Sequence, residues 1–369
     1  MTKPFRLLAI DIGAGTQDIL LYDEGKPIEN CFKLVLPSRT VIIAGQIERA
    51  TSEYKDIFLC GNIMGGGKCV SAIKRHLQKG LHVYSTPLAA KTIRDNPSEV
   101  ESLGVKIVES RPPHTTQIEL SDIDLCGLRT ALACFEVEMP ERFAIAVLDH
   151  GECLNGSNRE FRFKLWKEFI ESGGLLKDLV YEEPPPYFTR MKAVQEDVGC
   201  QQDGRAIVMQ TGPAAIWGTL FDAVVAPYKD KGLTIVNIGN QHTLAVLFQG
   251  EKIWGLFEHH TSSLTPEKLK KSIIGLQQRT LTNKDIFDDG GHGCVIDPAC
   301  PEDNGFEFVA VVGPRRRLVE GLNYYFAAPY GDMMLTGCFG LVAAYKLVTP
   351  DLIRGCQPEN YEKILSPTI

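Results

Sequence analysis

The chain has 369 residues, 44% of them hydrophobic, which is enough for two domains that share a cleft and carry a core each. Its formal charge is −7 and its one dense basic run is Arg315-Arg316-Arg317, so it offers no track for a phosphate backbone and nucleic acid is not expected as a partner. The opening MTKPFRLLAIDIGAG has an apolar run broken by Asp11, unlike a secretory signal, and no other apolar run approaches the roughly 20 residues of a membrane span; a soluble, cytoplasmic protein without membrane association is expected.

The 11 cysteines are spread from Cys31 to Cys356 with no C-x-x-C pair, which suggests reduced thiols, buried or inert. The closest pairs are Cys294 and Cys300, Cys126 and Cys134, and Cys60 and Cys69, none at the short spacing typical of zinc.

In chain order, FRLLAID (5–11) and ILLYD (19–23) read as a hairpin through GAGTQ, CFKLVLP (31–37) as a third strand and 38–54 as a helix. IFLCGNIMGGGKCVSAIKRHLQKG is a strand, loop and helix, and SDIDLCGLRTALACFEVEMP a further helix. FAIAVLDHGE (143–152) is a strand, NREFRFKLWKEFIESGG a helix, and YEEPPPYF, with three consecutive prolines, an extended loop. RAIVMQTGPAAIWGTLFD (205–222) is a strand, a Gly-Pro turn and a helix.

The opening pattern then returns. LTIVNIGN (233–240), HTLAVLFQGE (242–251) and KIWGLFEHH (252–260) are three strands with a glycine turn between the first two. A helix follows, with Thr265 as N-cap, Pro266 at its first position, and Leu269, Ile273 and Leu276 on one face. This is an internal duplication of pattern, with Asp11 and Asn237 at matched places.

A glycine-rich turn lets successive N–H groups converge on an anion without Cβ interference, and Asp11 at the adjoining strand end suits a Mg²⁺ shell. Read alone, DIGAGTQD is equally an ordinary hairpin turn; its pairing with TIVNIGNQHT favours phosphate.

AIDIGAGTQDILLYD and TIVNIGNQHTLAVLF resemble the two phosphate motifs of the actin, sugar-kinase and heat-shock ATPase superfamily. VMQTGPAAIWGTLFD resembles its connecting helix, and MMLTGCFGLVAAY (333–345) its adenosine motif, a strand, glycine turn and helix. These pieces stand in the superfamily's order and cover about half the chain. The chain is also similar to a poorly characterised prokaryotic family labelled as a pyruvate formate-lyase activator. The radical chemistry in that label uses a C-x-x-x-C-x-x-C cluster, a spacing absent from this sequence.

The resemblance implies an α/β fold with duplicated ribonuclease-H-like, actin-like ATPase domains flanking a nucleotide cleft, and an inserted subdomain. The first domain would take 1–54 and 141–222, the insertion 55–140, and the second domain 223–369. ATP and Mg²⁺ are the implied cofactors. Asp11 would be catalytic and hold the metal, and nucleotide would meet Gly13, Ala14, Gly15, Thr16, Gln17, Gln210, Asn237, Gly239, Asn240, Gln241, His242 and Gly337.

Two departures bear on catalysis. Asn237 stands where the second motif commonly has Asp, and Gln210 where heat-shock ATPases have Glu. Amides orient water but do not accept its proton at neutral pH. Asp149 in VLDHGE is then the best remaining base, beside His150; equally, it caps the loop entry. His242 either touches phosphate or begins a strand. His259 and His260 either line the cleft or, as their place at a strand end favours, are solvated, and Asp18 is expected only to punctuate the hairpin. GNIMGGGKC follows a strand and precedes a helix as a P-loop does, but has Asn62 and Cys69 in place of the Gly and hydroxyl of that motif; it is either a packed turn or a second anion site.

The expected function is an ATP-dependent phosphotransferase or ATPase acting on an unidentified small-molecule or protein acceptor. The alternatives are a nucleotide-binding switch with little catalysis, and an iron–sulfur-linked activator in which a homodimer shares Cys294 and Cys300.

Overall fold

The computed structural model describes residues 4–201, 205–301 and 305–349; the expected end of the second domain, 350–369, lies outside the described residues. The chain begins with β1 (Arg6–Ile12), β2 (Thr16–Asp23), β3 (Phe32–Pro37) and α1 (Arg39–Ser52). Next come β4 (Ile57–Gly61), α2 (Gly67–Gln78), β5 (Val83–Ser85), α3 (Pro87–Ala90), α4 (Pro97–Ser102), β6 (Val105–Ile107), β7 (Thr116–Leu120) and α5 (Leu125–Ala133). It continues through β8 (Arg142–Val147), α6 (Asn158–Glu171), β9 (Val180–Tyr181), α7 (Thr189–Gln201), β10 (Arg205–Met209) and α8 (Thr211–Thr219). The remainder is β11 (Leu233–Ile238), β12 (His242–Gln249), β13 (Lys252–His260), α9 (Pro266–Gln277), α10 (Asn283–Asp288), β14 (Gly293–Ile296), β15 (Val309–Val312), β16 (Tyr325–Phe326) and α11 (Thr336–Val348).

Two six-stranded sheets result, ordered β3-β2-β1-β8-β10-β9 and β14-β13-β12-β11-β15-β16. Each has an antiparallel three-stranded meander whose first strand pairs in parallel with a later strand, β1 with β8 and β11 with β15. The same five-strand order thus occurs twice, each copy extended by one antiparallel edge strand, β9 or β14. This is the duplicated α/β arrangement expected from the sequence. Apolar strands covered on both faces explain why β1, β8 and β11 read as nearly continuous apolar runs.

Residues 57–120 form a separate parallel sheet, β6-β5-β4-β7, around its own apolar cluster that includes Ile43, Ile47, Leu59, Ile73, Val83 and Ile118. Only β4 and α2 of this unit were expected from the sequence. β5 and β6 have three residues each, and TQIEL in β7 buries only alternate positions.

The small-residue run in α8 has a packing cause. A β-carbon on Gly218 would overlap the carbonyl of Thr336, and one on Gly340 the carbonyl of Ala214, so these glycines let α8 and α11 approach backbone to backbone. Cys338, Phe339 and Leu341 of α11 share a cluster with Leu7, Ala9 and Ala144, placing this helix against the first sheet. The strand, turn and helix expected over 333–345 is corrected here: Met333, Met334 and Leu335 form bends and turns, and the helix begins at Thr336. Among the described residues no helix is long and apolar enough to cross a membrane.

Candidate functional site

The ends of β1, β8 and β11 open onto a cleft of about 290 Å³ between the two large sheets, near the lower bound for a small-molecule site. Both glycine turns reach it. In the first, Gly13 N–H donates to Thr16 C=O at 2.8 Å; in the second, Gly239 N–H donates to His242 C=O at 2.9 Å. The turns are therefore copies, with Asp11 matched to Asn237 and Thr16 to His242. They also face each other, since a β-carbon on Gly15 would lie 3.1 Å from Asn240 Nδ2.

Asp11, Gly13, Ala14, Thr16, Asn237, Gly239, Asn240, Gln241, His242, Asp149 and Gly337 line this cleft. Gly15, Gln17 and Gln210 stand apart from that group. Successive strand side chains alternate between faces, so Thr16 and Asp18 point into the cleft while Gln17 points away and donates to Pro37 C=O at 3.0 Å. Gln210 is buried behind the cleft, where its amide accepts from Asp149 N–H at 2.9 Å and donates to Asp149 C=O at 2.7 Å. It holds the end of β8 in place.

Asp18 corrects its expected role. It sits directly across the β1–β2 hairpin from Asp11, is 7% exposed and lines the cleft. One oxygen of each carboxylate, Oδ1, is buried without a hydrogen-bond partner. Burial, then the Asp18 charge, pushes Asp11 well above the usual carboxylate range. Burial pushes Asp18 up to about 7, opposed by a hydrogen bond from Thr16 and aided by Asp332. Two such carboxylates without a cation repel each other and hold protons. The first turn of α11 closes over them: a β-carbon on Gly337 would overlap Asp11 Oδ2.

Asp149 is only 5% exposed and its carboxylate accepts three main-chain N–H groups, from Gly151 at 2.8 Å, Arg190 at 2.9 Å and Met191 at 3.0 Å. It caps the start of α7, and burial outweighs these donors in raising its pKa. The Gly-rich loop after β4 is pinned to the same helix. Gly65 N–H donates to Asp122 at 3.2 Å, and Asp122 receives both Nε and Nη2 of Arg190 at 2.7 and 2.9 Å. Met64, Gly65, Gly66 and Gly67 thereby roof the cleft.

Beneath the cleft, Arg162 of α6 and Glu258 of β13 make a two-pronged ion pair at 2.6 and 2.7 Å, both residues nearly fully buried. Burial alone would raise the Glu258 pKa; the Arg162 charge and hydrogen bonds hold it below the carboxylate range instead. Arg162 also donates to Asp149 C=O at 2.9 Å, so one guanidinium ties the first sheet to the second.

His259 and His260 correct their expected solvation. His259 is 1% exposed, with Nε2 3.2 Å from Asp289, and the His260 ring lies 5.0 Å from that of His242. Residues not singled out in the sequence are Glu258, Arg162, Arg190 and His292; they come from separate segments and have no shared spacing to mark them. Cys294 and Cys300 lie in an apolar core cluster, and burial pushes the Cys294 thiol up to about 12. Each is 5% exposed.

A family model described as "Putative pyruvate format-lyase activating enzyme (DUF1786)" matches residues 64–318. No curated protein matches the sequence. Among solved structures, the chain is similar to an activator of 2-hydroxyisocaproyl-CoA dehydratase from Clostridium difficile with bound ADPNP, at 9% identity, covering 96% of this chain and 98% of that one, with a TM-score of 0.34. A Ppx/GppA family member from Aquifex aeolicus has 9% identity, 95% and 91% coverage and a TM-score of 0.30. A ROK hexokinase from Thermus thermophilus has 11% identity, 94% and 100% coverage and a TM-score of 0.29. With more than half of its length matched by the family model, the chain belongs to the DUF1786 family.

Proposed function

We propose that this protein binds ATP with Mg²⁺ in the cleft and acts as a phosphotransferase or ATPase on an unidentified small-molecule or protein acceptor. The observation that carries this reading is the apposed pair Asp11 and Asp18, each with a buried, unpartnered carboxylate oxygen, between two copies of a phosphate-type glycine turn. The duplicated sheet order supports it.

Asp11 and Asp18 would hold Mg²⁺, whose charge would offset both carboxylates and the phosphates. The main chain of Gly13 to Thr16 and of Gly239 to His242 would seat the phosphate oxygens. The Gly65 to Gly67 roof would exclude water above them. Asp149 would act through position, fixing the β8 end and α7 beside the acceptor space, because its oxygens are already engaged.

A nucleotide-binding switch with little turnover is the second reading, favoured by Asn237 in the second turn and by that engagement of Asp149. Release of ADP from Mg-ATP separates the two. Turnover in the wild type that is lost in Asp18→Asn supports the enzyme. Nucleotide binding with no ADP release, alone or with a panel of acceptors, supports the switch.

A further inference from the structure

Four histidines converge where the second glycine turn meets the end of β8. His150 follows β8, His242 opens β12, His260 closes β13 and His292 precedes β14. The rings of His150, His242 and His292 lie pairwise 5.1 to 5.5 Å apart. One ligand nitrogen from each falls within 4.8 Å of the others. The His260 ring is 4.8 Å from His292.

A packed core would satisfy such rings or replace them with apolar groups, because a buried ring nitrogen without a partner is costly. Here His242 Nε2 and both ring nitrogens of His292 are buried without a hydrogen-bond partner, and His292 is only 2% exposed. The segment carrying His292 is nevertheless held firmly. His292 N–H donates to Glu258 C=O at 2.9 Å, and Arg159 donates to Gly291 C=O through Nε at 2.9 Å and to Phe287 C=O at 2.7 Å. Fixed main chain with unsatisfied imidazoles is the arrangement of a ligand set.

We propose that His150, His242 and His292 bind one divalent transition-metal ion, distinct from the Asp11–Asp18 position, with its open coordination site toward the cleft. Three imidazoles select a borderline cation of the zinc or ferrous class over Mg²⁺, which prefers oxygen. Bonds of about 2.0–2.1 Å in a tetrahedral set place ligand nitrogens roughly 3.4 Å apart, so the rings close inward on the ion. Burial already favours the neutral, metal-binding form: His242 is pushed down to about 3 and His292 to about 4. His150 and His242 line the cleft, so the fourth ligand is water or an anionic oxygen of whatever occupies it. Because His150 belongs to the first half and the others to the second, the ion also ties the two together.

The test uses chelator-stripped full-length protein without nucleotide, so its outcome is independent of ATP binding. Co²⁺ is titrated by visible absorption and Zn²⁺ by competition. The expected result is one ion per chain, a four-coordinate Co²⁺ spectrum, and affinity at least 100-fold weaker in His292→Gln and in His150→Gln. His150 lies in a loop, so its variant reports the site even where His292→Gln perturbs folding. Asp11→Asn must leave this binding intact. No stoichiometric binding, binding unchanged in both His variants, or binding lost in Asp11→Asn overturns the proposal.

Discussion

The two halves of the molecule have the same strand order and the same turn hydrogen bond, yet opposite chemistry in the cleft. The first places Asp11 across from Asp18; the second has Asn237 across from Leu244 at the same register, with histidines around its turn. Duplicated backbone thus supplies two turns of the same form, while side chains put a pair of carboxyl groups beside one and imidazoles beside the other. The Arg162–Glu258 pair lies between them and fixes their relation.

Breaking that pair is expected to have the largest effect. Glu258→Gln leaves Arg162 buried beside a neutral group, and should lower unfolding free energy by about 3–5 kcal/mol in denaturant titration. A loss below about 1 kcal/mol would show that the halves are held elsewhere. Gly218→Ala should cost about 1–3 kcal/mol, because the obstructing atom is main-chain carbonyl in α11 and cannot rotate away.

Asp18→Asn is expected to act in the opposite sense on the metal-free protein. Removing one of two repelling buried carboxylates should stabilise it by about 1 kcal/mol at neutral pH while weakening Mg²⁺-dependent nucleotide binding. Destabilisation together with unchanged Mg²⁺ dependence would remove Asp18 from the site.

The smallest effect is the pH slope, where the halves should differ in sign. The folded His292 pKa of about 4 lies below its ordinary 6.5, so the imidazole's stabilising share is complete above pH 6.5 and falls as pH drops toward 4. The folded Asp18 pKa of about 7 lies above its ordinary 3.8, so its share is complete below 3.8 and is lost as pH rises through 7. In chelator-treated protein, His292→Gln should flatten the acid-side loss and Asp18→Asn the loss toward pH 8, each by ~1 kcal/mol or less. Equal slopes in both variants would erase the distinction.

Both hairpins, both glycine turns and their duplication were legible because contiguous apolar runs and a local turn carry them. Thr265 as the cap of α9 was legible for the same reason: its side chain accepts from Lys268 N–H, as the sequence rule requires. The face of a side chain was harder to read. Gln17 and Asp18 are neighbours in sequence but point to opposite sides of β2, and pairing with Asp11 becomes visible only once register is known. Asp149, legible equally as a base or as a cap, has its carboxylate taken up by the main chain of Gly151, Arg190 and Met191, and the Gln210 amide is taken up by the main chain of Asp149. The histidine cluster joins four segments separated by other elements, so no spacing could announce it.

The central claim is a Mg²⁺-dependent nucleotide site resting on Asp11. Thermal unfolding of the wild type and of Asp11→Asn, each with ATP, with and without Mg²⁺, tests it directly. At nucleotide concentrations of about 100 times Kd, the wild type should gain about 2.7 kcal/mol with Mg²⁺, and Asp11→Asn should lose the Mg²⁺-dependent part of that gain. No shift in the wild type at millimolar Mg-ATP, or an equal Mg²⁺-dependent shift in both proteins, would contradict it.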